Sequence, residues 1–364
     1  MGHIFNLGHG ILPETSREKA ITMVNDVHEI SSRMDSIALN RNKVKIDSLD
    51  LLRAAAIVYI VGILHINDYD NSYLIFFGEG VVTETFLSIF VFISGYLLAI
   101  NNSIISDKND VKFFAKKRFL RLYPLYLFAL LLFLIFSFMS VKSFVVHALL
   151  LNILIGKSIP TLWFISMICF YYLLFPAIMM SYSIKRTFLI TGITISAMLL
   201  LHITFGLIDI RLIIYMPSFV FGVIVGKHNF LEKFRNFNSI VILTLLIFII
   251  LSYFYLYFPD SQMKDFVQVL FMLAGIPSSI WLADKLAKNI NKRIYKNLAY
   301  ASFCMYLFHR VIFFVLTHIY SPQSQLGMFA YLFFVGVPLI YLISFIFQKN
   351  YDNLSNRYLQ AYLK

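Results

Sequence analysis

Residues 239–258 read SIVILTLLIFIILSYFYLYF, twenty positions without one charged side chain. As an α-helix rising 1.5 Å per residue, such a stretch is about 30 Å long, the thickness of a bilayer's hydrocarbon core. Residues 122–138 and 328–347 are charge-free as well. Across all 364 residues, 59% are hydrophobic and only 14% are charged, and the mean hydropathy is +0.76. No soluble core needs so much apolar sequence. The fold class is therefore all-α: a polytopic membrane protein.

Ten candidate spans follow from the apolar runs: 49–66, 80–100, 122–138, 161–181, 187–204, 212–227, 239–258, 265–284, 298–318 and 328–347. An eleventh run, FVVHALLLNILI at 144–155, is too short to cross comfortably. Charge arithmetic decides its place. If it does not cross and the N-terminus is cytoplasmic, Lys108–Arg121, Lys185–Arg186, Lys227–Arg235, Lys285–Lys296 and the C-terminal tail all fall inside. Counting it as a span would put Lys185–Arg186 and Lys227–Arg235 outside. The expectation is ten spans, both termini cytoplasmic, and 144–155 as a re-entrant or interfacial helix. The formal charge of +12 thus reports topology and contact with membrane lipid, and does not mark a nucleic-acid surface.

Residues 2–29, GHIFNLGHGILPETSREKAITMVNDVHE, resemble the C-terminal tail of uroporphyrinogen decarboxylase, a soluble barrel enzyme. Only that tail is present, so the resemblance implies no decarboxylase chemistry, and residues 1–47 are expected to be a non-catalytic cytoplasmic leader. His3, His9 and His28 belong to it and are excluded from any metal site. The membrane domain should run over 48–350, with 351–364 as a cytoplasmic tail. Cys169 and Cys304 lie inside apolar runs, where neither a disulfide framework nor a zinc site can be read.

The first span contains RAAAIVYIVGILH at 53–65. An arginine in such a run costs free energy unless it snorkels to the surface or faces a polar interior. Asp50, one turn before, can pair with Arg53. His65 lies twelve steps on, ~18 Å along the axis, and an imidazole beside water is suited to take a proton near neutral pH. The basic run Lys116-Lys117-Arg118-Phe119-Leu120-Arg121 carries two readings, topology signal and phosphate grip. For the second, Arg118 and Arg121 share a helix face. Ser94 and Gly95 are small and permit close helix packing. Trp163 is expected near the outer interface, as an anchor or as a wall for a sugar ring. Tyr306 and His309 share a face beside Arg310. Glu84, set inside a helix near Asp68, Asp70 and Glu79, is an intramembrane carboxylate that could orient His65. His147, His202 and His318 have no motif behind them and are expected to be structural.

These pieces are ordered as in a known family. DLLRAAAIVYIVGILH at 50–65, FVFISGYLL at 90–98, KRFLRLYPLY at 117–126, LWF at 162–164 and SFCMYLFH at 302–309 resemble the acyltransferase-3 family, whose members O-acylate sugars of bacterial surface polysaccharides. The resemblance implies an enzyme of the inner membrane that takes an acyl group, most simply acetyl, from acyl-CoA, with no bound cofactor. It favours Arg53 and His65 as catalytic candidates and associates the basic pair Arg118 and Arg121 with the donor, Lys117 beside them being counted with the pair. Glu84 joins the catalytic candidates on its position inside a span, not on the resemblance. Trp163, Tyr306 and His309 would meet the acceptor, and lipopolysaccharide O-antigen is the first acceptor choice. A transporter of a glycan or small solute is the rival, since intramembrane polar residues also mark transport paths.

One departure carries a structural expectation. The family usually has ten residues between this arginine and histidine, whereas this chain has eleven. At about 100° per residue, eleven steps leave such a pair roughly 20° apart and twelve leave it roughly 120° apart. One residue absorbed in a wide turn restores the phase, and such π-bulges favour functional sites. A π-bulge or early helix end is therefore expected between Tyr59 and Asn67, with Gly62 the nearest place for it and His65 facing the interior.

Overall fold

The computed structural model describes residues 46–69, 80–102, 105–156, 159, 161–236, 238–258 and 262–363. The leader segment 1–34, Asp70 and Glu79 lie outside them. The described residues form helices and no strand. Helix α1, Asp47–Tyr59, runs into a π-turn at Ile60–Leu64. Then come α2 (Val81–Asn101), α3 (Lys108–Ile135), α4 (Val141–Ala148), α5 (Trp163–Met179), α6 (Ile184–Phe205), α7 (Ile210–Ile214) and α8 (Met216–Lys227). They are followed by α9 (Leu231–Asn236), α10 (Asn238–Tyr257), α11 (Gln262–Leu286), α12 (Lys292–Ile319), α13 (Gln325–Tyr331), a π-turn at Leu332–Gly336, and α14 (Val337–Leu363).

Eight of these stretches are long and apolar enough to cross a membrane. The 17-residue α5 is apolar but shorter, and α1 with its π-turn, 13 and 5 residues, is shorter still, so among the described residues eight of the ten expected spans are long and apolar enough to cross. Segment 144–155 is not among them. Eight residues of helix α4, about 12 Å, give way to turns whose carbonyls at Ile153 and Leu154 accept from the amides of Asp209 and Ile208 at 2.8 and 2.9 Å. The expected boundary at residue 350 falls within α14, which continues without interruption to Leu363.

Burial sorts the helices. In α6 and α10 only 11% and 6% of the apolar window is covered by protein, against 56% in α2, 67% in the α7–α8 stretch and 61% in α12. Apolar faces left open in the first two are solvated by lipid, and the other three form the centre. Helices α2 and α8 nearly touch through glycines. A side chain at Gly95 would meet the carbonyl of Phe219, and one at Gly222 the carbonyl of Phe92, so only hydrogen fits. The expected packing role of Gly95 is met.

Backbone groups inside the membrane need partners. Asp107 caps α3 by accepting from the amides of Asn109 and Asp110. Pro124, inside α3, has no N–H to give the carbonyl of Leu120, and the hydroxyl of Tyr351 from α14 donates to that oxygen instead. His147 and His202 also serve the backbone, bonding the carbonyls of Ser143 and Ile208 at 2.8 Å each. His318 bonds the carbonyl of Phe314 at 2.8 Å. All three are structural, as expected.

At the start of α1, Asp47 meets Lys296 at 2.7 Å and Lys292 at 2.9 Å, tying α1 to α12. Those hydrogen bonds, Lys296 first, hold its carboxyl below the ordinary 3.8. A depressed carboxyl contributes stability above its unfolded value and loses it as pH falls through the folded one. The tie is therefore intact near neutrality and fails only in acid.

Candidate active site

The π-turn is where the spacing argument puts it. The amide of His65 donates to the carbonyl of Ile60, five residues back, at 3.0 Å. Gly62 sits in the middle of this turn, and a Cβ there would come within 3.2 Å of the Phe333 ring. The wide turn returns His65 to the bundle interior.

A cavity of about 120 Å³ lies between α1, α2, α3, α5 and α12. Three arginines, Arg53, Arg118 and Arg121, line it together with Ser94, Tyr172 and Ser302. Arg53 donates to Ser302 Oγ at 3.2 Å. The Arg118 guanidinium lies over Phe114 at 5.5 Å and Tyr172 at 5.8 Å, and its Nε is buried without a protein partner. Three guanidinium groups around one mostly apolar cavity have no carboxylate among the lining residues to offset them.

Lys117 is not part of this wall. It is exposed, with its Nζ over Phe113 at 5.9 Å. One residue is about 100° of helix rotation, so Lys117 faces away while Arg118 and Arg121, three apart, stay together.

Ile60, Phe164 and Tyr306 also line the cavity. Tyr306 is pinned by its hydroxyl, which donates to the carbonyl of Thr161. One turn further along α12 is His309, its ring 6.1 Å from that of Tyr306. His309 stacks on His65 with centroids 4.5 Å apart and planes 14° from parallel. Nδ1 of His309 donates to the carbonyl of Tyr306 at 2.8 Å, with that of Met305 at 3.2 Å. Its Nε2 and the Nδ1 of His65 are buried with no protein partner. Arg310 pairs with Asp68 at 2.8 Å and also donates to the Thr161 hydroxyl.

Glu84 does not orient His65. Its carboxylate accepts from the Tyr215 hydroxyl and from Gln268 at 2.6 Å, so its bonds tie α2 to Tyr215, ahead of α8, and to α11. Trp163 is buried at 8% exposure and carries the Arg211 guanidinium 4.2 Å above its ring. Arg211 is held in turn by Asp209. Trp163 is thus neither an interfacial anchor nor an open wall, because a neighbouring cation occupies its face. Thr161, Arg211, Tyr215 and Gln268 had no motif in the sequence. Only Asp209 and Arg211, bracketing the start of a short apolar helix, offered a local hint.

No curated protein and no solved structure matches this chain. A family model described as an acyltransferase domain matches residues 46–349, the same stretch that builds the arginine-lined cavity and the histidine stack. The chain is a membrane-embedded acyltransferase and belongs to the acyltransferase-3 family.

Proposed function

We propose that this enzyme moves an acyl group, acetyl in the simplest case, from a cytoplasmic acyl-CoA to a sugar hydroxyl of a surface polysaccharide. Lipopolysaccharide O-antigen, met as a lipid-linked or finished glycan at the far face of the inner membrane, is the acceptor of choice. The supporting observation is a neighbourhood. Three arginines line a narrow cavity whose wall includes Tyr306. One turn along α12 from Tyr306 lies His309, stacked on His65, each with a buried ring nitrogen that has no protein partner.

In this reading Arg118 and Arg121 grip the phosphates of the donor with planar forks, and Arg53 lines the entry of its thioester arm. The apolar middle of the cavity excludes water from the thioester, which protects it from hydrolysis. His65 accepts the proton of the attacking sugar hydroxyl. The N-terminus and C-terminus are then cytoplasmic, on the side of the basic loops.

The test is chemical. Surface glycan from cells with the gene and without it is compared by mass for ester-linked acyl groups, before and after mild alkali. A loss of one acetyl per repeat unit supports the reading. Glycan identical in acyl content would overturn it.

A further inference from the structure

His65 is the first of five residues, 65–69, that leave the π-turn in a run of turns. Its Nδ1 has no protein partner, and a turn opens more readily than the helices around it. The place of its ring therefore depends on what holds the turn. We propose that Arg310 is a positioning residue for acyl transfer. It clamps the His65 turn, and the turn that leads into α5, onto one face of α12. The assignment rests on the reading of His65 as the base.

That face is built from Tyr306, His309, Arg310 and Phe313, spaced i, i+3, i+4 and i+7 along one side of the helix. Three of the four meet the turn. His65 stacks on His309, and the Tyr69 ring stands edge-on to Phe313 at 5.8 Å. Between them Arg310 pairs with Asp68 at 2.8 Å, and its carbonyl accepts from the Tyr69 hydroxyl at 3.4 Å. Ring contacts tolerate sliding. Of these contacts the ion pair alone is charge-assisted, and a guanidinium donates in fixed directions, so it sets distance and angle together.

Arg310 has a second hold. Its Nε donates to the Thr161 hydroxyl, while the Tyr306 hydroxyl donates to the Thr161 carbonyl. Thr161 is 3% exposed and has φ +79°, a left-handed conformation that β-branched residues rarely adopt. Such strain persists only where the surroundings over-determine it, and it clusters at functional sites. Here two side chains one turn apart on α12 hold the residue at its carbonyl and at its hydroxyl. Helix α5 begins two residues later and lines the arginine cavity with Phe164, Ile165, Ile168 and Tyr172. One guanidinium thus ties a wall of that cavity to the turn carrying His65. Reacting atoms must come within about 3–3.5 Å, and a displacement of about 1 Å can cost 10²-fold in rate. The clamp supplies that register.

The experiment reads the histidines directly. Full-length protein in detergent is treated with diethyl pyrocarbonate, which acylates neutral imidazole, at about pH 8, above the ordinary imidazole value. Peptide mass gives the rate at each histidine. Arg310→Gln should raise the rate at His65 about tenfold or more, as local opening does, and leave His147 and His202 within about twofold. Asp68→Asn should do the same with Arg310 in place, and it stands in should the first variant not fold. No rise at His65, or an equal rise at all three histidines, overturns the proposal. Transfer onto the glycan of native membranes gives the second readout. Arg310→Gln should lower kcat about 10²-fold and leave the acetyl-CoA KM within about threefold, because Arg310 is not among the residues lining the cavity. Arg310→Lys, which still reaches Asp68, should recover part of that loss. A loss carried by KM, or a lysine variant no better than the glutamine one, overturns the assignment. Labelling uses neither donor nor acceptor. Wild-type protein that transfers nothing from acetyl-CoA, with labelling as expected, therefore sinks the donor reading and leaves the clamp standing.

Discussion

The Tyr351 hydroxyl donates to the Leu120 carbonyl, the oxygen that Pro124 leaves without its helical partner. One side chain from the last helix repairs a break in the third. Removing it should leave a partly buried carbonyl unsatisfied, a cost of about 1–3 kcal/mol. Tyr351→Phe is expected to unfold earlier on heating in detergent, and combining it with Pro124→Ala should recover most of the loss. No recovery in the double variant would show that the two residues act separately.

Arg118 and Arg121 line the cavity and Lys117 does not. Arg118→Ala and Arg121→Ala should raise the donor KM at least tenfold and leave the acceptor KM nearly unchanged. Lys117→Ala should change neither. Kinetics in membranes with each substrate varied in turn separates these, and equal effects at positions 117 and 118 would restore a purely topological role.

The π-turn holds His65 in phase with Arg53, so phase can be tested by length. Deleting half-buried Ile63 shortens the interval to ten residues, at which a regular helix puts the pair about 20° apart. That variant should keep measurable transfer. Inserting an alanine after Ile63 adds another ~100° and should abolish it. Equal loss in the two, with both proteins inserted, would mean that phase is not what the turn provides.

Glu84 binds Tyr215 and Gln268, not the histidines. Glu84→Ala should cost about 1.5–3 kcal/mol of stability, as for hydrogen bonds to a charged group. Glu84→Gln should retain kcat within about tenfold, where an imidazole-orienting carboxylate would cost far more. Thermal unfolding and single-turnover rates on the same two variants decide it.

The family match begins at residue 46. Removing residues 1–34 should therefore leave glycan acylation unchanged, provided the shortened chain still inserts. Mass analysis of the glycan checks activity, and membrane fractionation checks insertion.

The all-helical membrane architecture, the short helix that enters 144–155 and even the π-turn were legible in the sequence. Each follows from a local rule applied along one chain: length against bilayer thickness, charge against topology, rotation per residue against spacing. Arg53, Arg118 and Arg121 could likewise be named in advance, because an arginine in or beside an apolar span demands an explanation wherever it lies. What no local rule contains is which side chain faces which across helices distant in sequence. Glu84 and His65 looked like partners because both lie near the same end of adjacent spans, yet the tilt and rotation of α2 turn the carboxylate toward Tyr215 and Gln268. Trp163 looked like a surface for a sugar until Arg211, 48 residues on, covered its ring. His309 acquired its meaning only when packing laid it on His65, 244 residues away. Hydrophobicity sets how many helices cross, and it is the close packing of those helices, glycine against carbonyl at Gly95 and Gly222, that fixes which polar groups meet.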